Sequence, residues 1–71
     1  MSRETLIEGS GKVIEVLPRS VFRVEMPNGH KLLAHLSQAM RVNLVRIDSG
    51  DTVKVEMSPF DLSEGCIISK E

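Results

Sequence analysis

A chain of 71 residues with 41% hydrophobic, 27% charged and 3% aromatic residues holds one domain at most, near the lower size at which a fold stands without staples. Its core must be a thin layer that uses almost every apolar residue, which excludes a multidomain enzyme with a deep cleft. Nine Lys and Arg against ten Asp and Glu give a formal net charge of -1, so any nucleic-acid partner must be met by a local patch and not by bulk electrostatics.

Apolar residues recur mostly with period two, in short runs separated by Pro, Gly, Asn, Asp and Ser, which predicts an all-β domain with antiparallel strands. The first run covers about Leu6 to Val16, with Gly9 and Gly11 where a long strand would bend or bulge to close a small barrel. Leu17-Pro18-Arg19-Ser20 is a turn. Phe22, Val24 and Met26 then alternate with Arg23 and Glu25, placing three apolar side chains inward and two charges outward. Pro27-Asn28-Gly29 follows, and Asn-Gly between alternating runs is a hairpin signal because both residues tolerate positive φ. Lys31 to Leu36 is the returning strand. Between Ser37 and Asn43 the alternation fails; Ser37 can cap a helix, Gln38 to Arg41 favour one, and Met40 is expected to anchor it. Leu44, Val45 and Ile47 fit either an extension of this segment or a short edge strand. After the turn Asp48-Ser49-Gly50-Asp51, Val53, Val55 and Met57 form the clearest strand, stopped by Ser58-Pro59. Cys66-Ile67-Ile68 is a final short strand. The expected plan is a single domain over residues 1–71, a five-stranded antiparallel OB-type barrel with a short helical turn between strands three and four, and flexible tails at about 1–5 and 69–71.

No Ser/His/Asp set, no pair of carboxylates in contrasting surroundings and no Gly-rich phosphate loop can be assembled, so no enzymatic activity and no cofactor are expected. Cys66 is the sole cysteine, which excludes an intramolecular disulfide and a thiolate-rich zinc site; packing as a small hydrophobe is its expected role. His30 and His35, five apart beside one strand, point to opposite faces if the strand is regular, so no shared metal is expected. Met1 to Thr5 lacks the apolar stretch of a secretory signal and no window reaches a membrane span, which favours a reducing cytoplasm and no membrane. The remaining chemistry is basic: Arg41 and Arg46 on the insert, Lys31 on the preceding strand and Arg23 on its neighbour, with Asp48 the one acid beside them. Arginine offers a planar fork for phosphate and a flat surface for stacking on bases, and histidine can stack or donate once basic neighbours share its face. With Phe22 read as core and Phe60 open to either packing or RNA contact, serial stacking along a single strand is disfavoured against shape and phosphate contacts to a structured RNA.

In order and spacing, several stretches resemble the bacterial translation initiation factor 1 family almost end to end. They are Gly11-Lys12-Val13-Ile14-Glu15, Leu17-Pro18 with Phe22-Arg23-Val24-Glu25, Asn28-Gly29-His30, Ala34-His35-Leu36-Ser37, Met40-Arg41, Arg46-Ile47, Gly50-Asp51 with Val53, Val55 and Glu56, and Ser58-Pro59-Phe60-Asp61-Leu62-Ser63. The resemblance implies an S1-like OB barrel that occupies the decoding aminoacyl site of the small ribosomal subunit. There it would contact ribosomal RNA and a neighbouring ribosomal protein, block premature tRNA entry, and act as a monomer with initiation factors two and three and initiator tRNA. Carried over by position, the implied RNA-binding residues are Arg23, His30, Lys31, His35, Ser37, Arg41 and Arg46, with Phe60 and Lys70 as further candidate contacts.

The chain departs from that pattern where charge matters. Gln38 and Ala39 replace a Gly and a Lys of the typical insert, Val42 and Leu44 are apolar where a basic residue and often a Tyr stand, Phe60 replaces Tyr, and Glu64 to Glu71 replaces a strongly basic tail. About four or five phosphate-directed charges are missing, and each such contact changes the salt slope by roughly 0.9 or less, so weaker and less salt-dependent binding is expected. Two other readings stay open: a general single-strand RNA-binding or chaperone module of the cold-shock kind, and a copy that keeps the fold but meets a protein partner through its acidic end.

Overall fold

Inward and outward alternation, clearest over Val21–Glu25 and Thr52–Ser58, builds this molecule. Val13 of one strand, Phe22 and Val24 of the next, Leu32 and Ala34, Val53, Val55 and Met57, and Ile67 all turn inward and form one buried cluster. The computed structural model describes residues 6–71; the tail expected at 1–5 lies outside the described residues. The strands are β1 (Ile7–Leu17), β2 (Val21–Glu25), β3 (Lys31–Leu36), β4 (Thr52–Ser58) and β5 (Asp61–Lys70), with a single helix, α1 (Gln38–Val42), between β3 and β4. They close into a barrel in the order β1-β2-β3-β5-β4, the OB fold that the alternation predicts. No helix among the described residues is long and apolar enough to cross a membrane.

Closure corrects one expectation. The barrel is not purely antiparallel, because β3 and β5 run parallel, with Ala34 opposite Gly65 and His35 opposite Cys66. The reason is arithmetic: strand direction cannot alternate all the way round a ring of five, so one neighbouring pair must be parallel. That seam is tight. A side chain at Gly65 would bring its Cβ to 2.9 Å from the Glu56 carbonyl oxygen and 3.1 Å from Leu32 Cδ1, so the position admits only glycine without movement.

β1 pairs with β4 from Ile7 to Lys12 and with β2 from Lys12 to Leu17, changing partner beside Gly11 as expected of a bending strand, with a bulge at Ile14. The β2–β3 hairpin turns at the expected residues but by another geometry. Only Gly29 has positive φ (89°), the Gly29 N–H donates to the Met26 carbonyl at 2.9 Å, and Asn28 instead accepts the His30 N–H on Oδ1 at 3.0 Å.

The C-terminal expectation also changes. Cys66 to Ile68 is the centre of a ten-residue strand, and Ser69 and Lys70, expected in a flexible tail, pair with Lys54 and Val53. Glu71 continues the attachment: its N–H donates to the Thr52 carbonyl at 2.8 Å, and its Oε2 accepts the Ser10 hydroxyl at 2.6 Å. The backbone groups of β4 have partners available on this side, and β5 extends to satisfy them.

Candidate nucleic-acid interface

The insert between β3 and β4 forms one end of the barrel. Ser37 caps α1 as its residue type predicts: in extended conformation, its hydroxyl accepts the Met40 N–H at 3.3 Å, while its own N–H donates to the Ile67 carbonyl at 3.0 Å and ties the helix to the parallel seam. Met40 is 5% exposed and anchors the helix in the core. Neither alternative for Leu44 to Ile47 holds, because the helix ends at once. The Leu44 N–H donates to the Arg41 carbonyl and the Val45 N–H to the Met40 carbonyl, both at 3.1 Å, which is a Schellman ending with Leu44 in the left-handed position at φ 54°. Ile47, 5% exposed, then drops into the core, and the Gly50 N–H bonds the Val13 carbonyl at 2.7 Å.

This path leaves an open hollow of about 440 Å³, floored by Leu36, Met40 and Val45 and rimmed by Ser20, Arg41, Leu44 and Arg46. A neighbouring depression on the other side of Arg41 is lined by Leu36, Gln38 and Val42. Arg41 therefore stands between two concavities. It makes no ion pair among the described residues, and Arg46 makes only a loose one, with Nε 3.6 Å from Asp48 Oδ1 and the two side chains 86% and 63% exposed. Such a pair contributes about 0–1 kcal/mol, so both guanidinium groups can engage an external phosphate with little to break. An apolar floor between two arginine forks suits a flat base together with its phosphate.

The other sequence-predicted residues spread along β3. His35 lies opposite Val21 of β2 and Cys66 of β5, near the insert end. Burial chiefly pushes the Cys66 thiol upward, Glu56 adds to the rise, and the Arg41 charge opposes it. Lys31 is four residues before His35, roughly 13 Å away along the strand, on the same outward face. Arg23 faces Leu33 across the β2–β3 ladder, between Lys31 and His35. His30 stands just outside β3, so its relation to His35 is not set by strand alternation; its Nε2 lies 2.6 Å from the Leu62 carbonyl, to which it donates.

Acids are closer to these groups than the sequence order suggests. Arg23 Nε bonds Glu15 Oε1 at 3.1 Å, Glu25 is opposite Lys31, and Glu64 is opposite Leu33. The barrel wall thus carries acids among its basic residues, with Arg23 ion-paired, whereas Arg41 on the insert makes no ion pair among the described residues. Phe60 sits apart on the β4–β5 turn and is 84% exposed, so it does not pack into the core. Lys70 is not directed freely outward; its ammonium is 3.2 Å from the Arg46 carbonyl and 3.4 Å from Asp51.

Two residues escaped sequence reasoning. Arg19 and Ser20, in the β1–β2 turn, both have positive φ (67° and 59°), and Ser20 lines the arginine hollow. With Leu44 they are the non-glycine residues of positive φ among the described residues, and two of the three, Ser20 and Leu44, line this hollow. Left-handed backbone in such residues is uncommon and gathers where a surface is shaped for use. The signal was present in Leu17-Pro18-Arg19-Ser20, a turn with no Gly or Asn to take the left-handed positions. Among the described residues no group of three or more His, Cys, Asp and Glu could hold a metal ion.

The fold is shared with known proteins. The solution structure of translation initiation factor 1 from the Wolbachia endosymbiont strain TRS of Brugia malayi is similar with a TM-score of 0.79 and 40% identity, covering 94% of this chain and 79% of that one. The crystal structure of YjeQ from Thermotoga maritima shares the fold, with a TM-score of 0.73 and 23% identity over 92% of this chain and 23% of that one. Residues 3–71 match the family described as Translation initiation factor 1A / IF-1. With the match spanning nearly the whole chain and the OB barrel in place, this protein belongs to the translation initiation factor 1A / IF-1 family.

Proposed function

We propose that this chain binds the small ribosomal subunit at the decoding aminoacyl site through ribosomal RNA, excluding premature tRNA entry and assisting initiation factors two and three in selecting initiator tRNA. It acts in the cytoplasm as a monomeric binding factor. The observation that carries this reading is the convergence of Arg41 and Arg46 on one open hollow in a member of an initiation-factor family. An unpaired base seated over Leu36 and Val45, with its phosphates on the arginine forks, fits the hollow's mixed lining. His35 extends the contact along the wall, while Arg23 and Lys31, held near acids, add less. Ser37 supports the site through its cap, and His30 through its bond to Leu62 at the start of β5.

Co-sedimentation with small subunits across a salt series, with and without factors two and three, tests the reading. The wild type should pellet with small subunits, and changing Arg41 and Arg46 together to Ala should weaken binding and lower the salt slope by about 0.7–0.9 for each arginine. Unaltered binding of the double variant would remove these residues from the interface. The second reading, a general single-strand RNA module, draws on exposed Phe60 as a stacking platform. Melting of short RNA hairpins at low salt without preference for the subunit would favour it.

A further inference from the structure

The segment that carries Arg46 is held at both ends and bare in the middle. On one side the Schellman ending fixes Leu44 and Val45; on the other Ile47 is buried and Gly50 is bonded to β1. Arg46 lies between, and its side chain is 86% exposed, so nothing in the core dictates the plane of its peptide. Lys70 supplies that constraint. Its Nζ donates to the Arg46 carbonyl at 3.2 Å and lies 3.4 Å from Asp51 Oδ2, and the same carboxylate oxygen accepts the Asp48 N–H at 2.8 Å. One ammonium therefore links the residues on both sides of Ile47 to the end of β5. The backbone under Lys70 is itself fixed, since Lys70 pairs with Val53 and the following Glu71 N–H bonds Thr52 at 2.8 Å.

We propose that Lys70 is a positioning residue: it clamps the Arg46 carbonyl and Asp51, and so sets the direction in which Arg46 is presented, without contacting the RNA itself. An ammonium has three donors and no acceptor, and two of its directions are occupied inside the protein. The Asp51 carboxyl agrees with the arrangement. It is held below its ordinary value chiefly by the Asp48 N–H; burial opposes this, and the Lys70 charge and hydrogen bond add smaller lowering effects. Because the Lys70 and Asp51 side chains are 41% and 26% exposed, the clamp is screened, and its effect falls on the loop more than on global stability.

For its ribosomal arm the inference rests on the function proposed above; a second arm reads the free protein. Lys70→Met keeps the aliphatic stem and removes the charge. In the wild-type background it should weaken small-subunit binding by about threefold to tenfold, the range of a partly exposed charged hydrogen bond. In an Arg46→Ala background the further loss should stay under about twofold, because a group acting through Arg46 has nothing left to position. Lys70→Arg should restore binding. In the free protein, Lys70→Met should speed exchange of the Asp48 amide while leaving the Val55 and Ile67 amides unchanged. Equal losses in both backgrounds, with the salt slope reduced by about 0.7–0.9 in each, would make Lys70 a direct phosphate contact and overturn the proposal. Uniformly faster exchange at Val55 and Ile67 would overturn it as well. If the wild type fails to bind small subunits, the functional reading falls and the exchange arm alone decides, an unchanged Asp48 amide overturning the clamp.

Discussion

Leu44 holds two unfavourable states at once: it is 87% exposed, and its backbone lies in the left-handed region at φ 54°. That conformation costs a non-glycine residue roughly 1–2 kcal/mol, and a Schellman ending usually places glycine there. Nothing inside the protein offsets the exposed side chain, which projects at the rim of the arginine hollow. Leu44→Gly should therefore stabilise the fold by about 1 kcal/mol, less whatever the more flexible unfolded chain takes back, and raise Tm by roughly 4–8 °C. In binding the sign reverses. An apolar side chain buried by a partner is worth ~1.5 kcal/mol, so the same variant should bind small subunits about tenfold more weakly. Thermal melting beside co-sedimentation checks both, and a variant that melts lower and binds as well as wild type would show that Leu44 serves the fold. The sequence shows the apolar residue here but not its backbone: the helix could stop or run on, and only the bonds from Leu44 and Val45 to the preceding turn decide.

Among the elements, β5 differs most from what its composition suggests. Asp61-Leu62-Ser63-Glu64-Gly65 has the make-up of a turn, and only Ile67 in the strand is fully buried, so period-two reading isolates Cys66 to Ile68. Its length comes from neighbours instead. β5 fills the gap between β3 and β4, and each of those strands has a ladder edge that must be satisfied. Long-range demand of this kind leaves no local trace, whereas β2 and β4, each with one face in the core, are readable residue by residue. The parallel seam is the exception that counting could have found, since five strands in a ring cannot all be antiparallel. Gly65 sits on that seam with Glu56, Leu32 and Met57 crowding the space a side chain would take. Gly65→Ala should accordingly cost about 1–3 kcal/mol, because one of the contacts is a carbonyl oxygen of β4 and the backbone must move. Chemical denaturation measures it, and a variant within about 0.5 kcal/mol of wild type, the ordinary spread for a neutral surface change, would mean that the barrel has slack at its seam.

For the molecule as a whole, the near-zero net charge conceals an arrangement that the sequence conveys only in part. Counting along the chain places acids away from the basic residues, yet the closed barrel brings Glu15 onto Arg23, Glu25 opposite Lys31 and Glu64 opposite Leu33. What sequence reading did find is the exposed pair on the insert: Arg41 makes no ion pair among the described residues and Arg46 only the loose one with Asp48, because no strand pairing brings an acid across to them. The same charge arrangement sets the pH range of the fold. Asp51 and Asp61 are held below the ordinary value of 3.8, the first mainly by the Asp48 N–H and the second by the Ser63 hydroxyl and N–H. A carboxyl with a depressed folded-state pKa contributes stability that is present above 3.8 and is lost as pH falls through the lowered value. Cys66 works in the other direction: burial raises its thiol above the ordinary 9.0, so its contribution is complete below 9.0 and is lost as pH climbs through the raised value. Tm should fall on the acid side in a manner that Asp51→Asn and Asp61→Asn together reduce, and on the alkaline side in a manner that Cys66→Ser reduces. Melting curves from acid to alkali on these variants decide the matter, and identical pH profiles in wild type and variants would mean that other groups bound the stable range. Because Asp51 also holds the Asp48 N–H and the Lys70 ammonium, its protonation should loosen the Arg46 loop before the barrel melts, which amide exchange at Asp48 on the acid side would register.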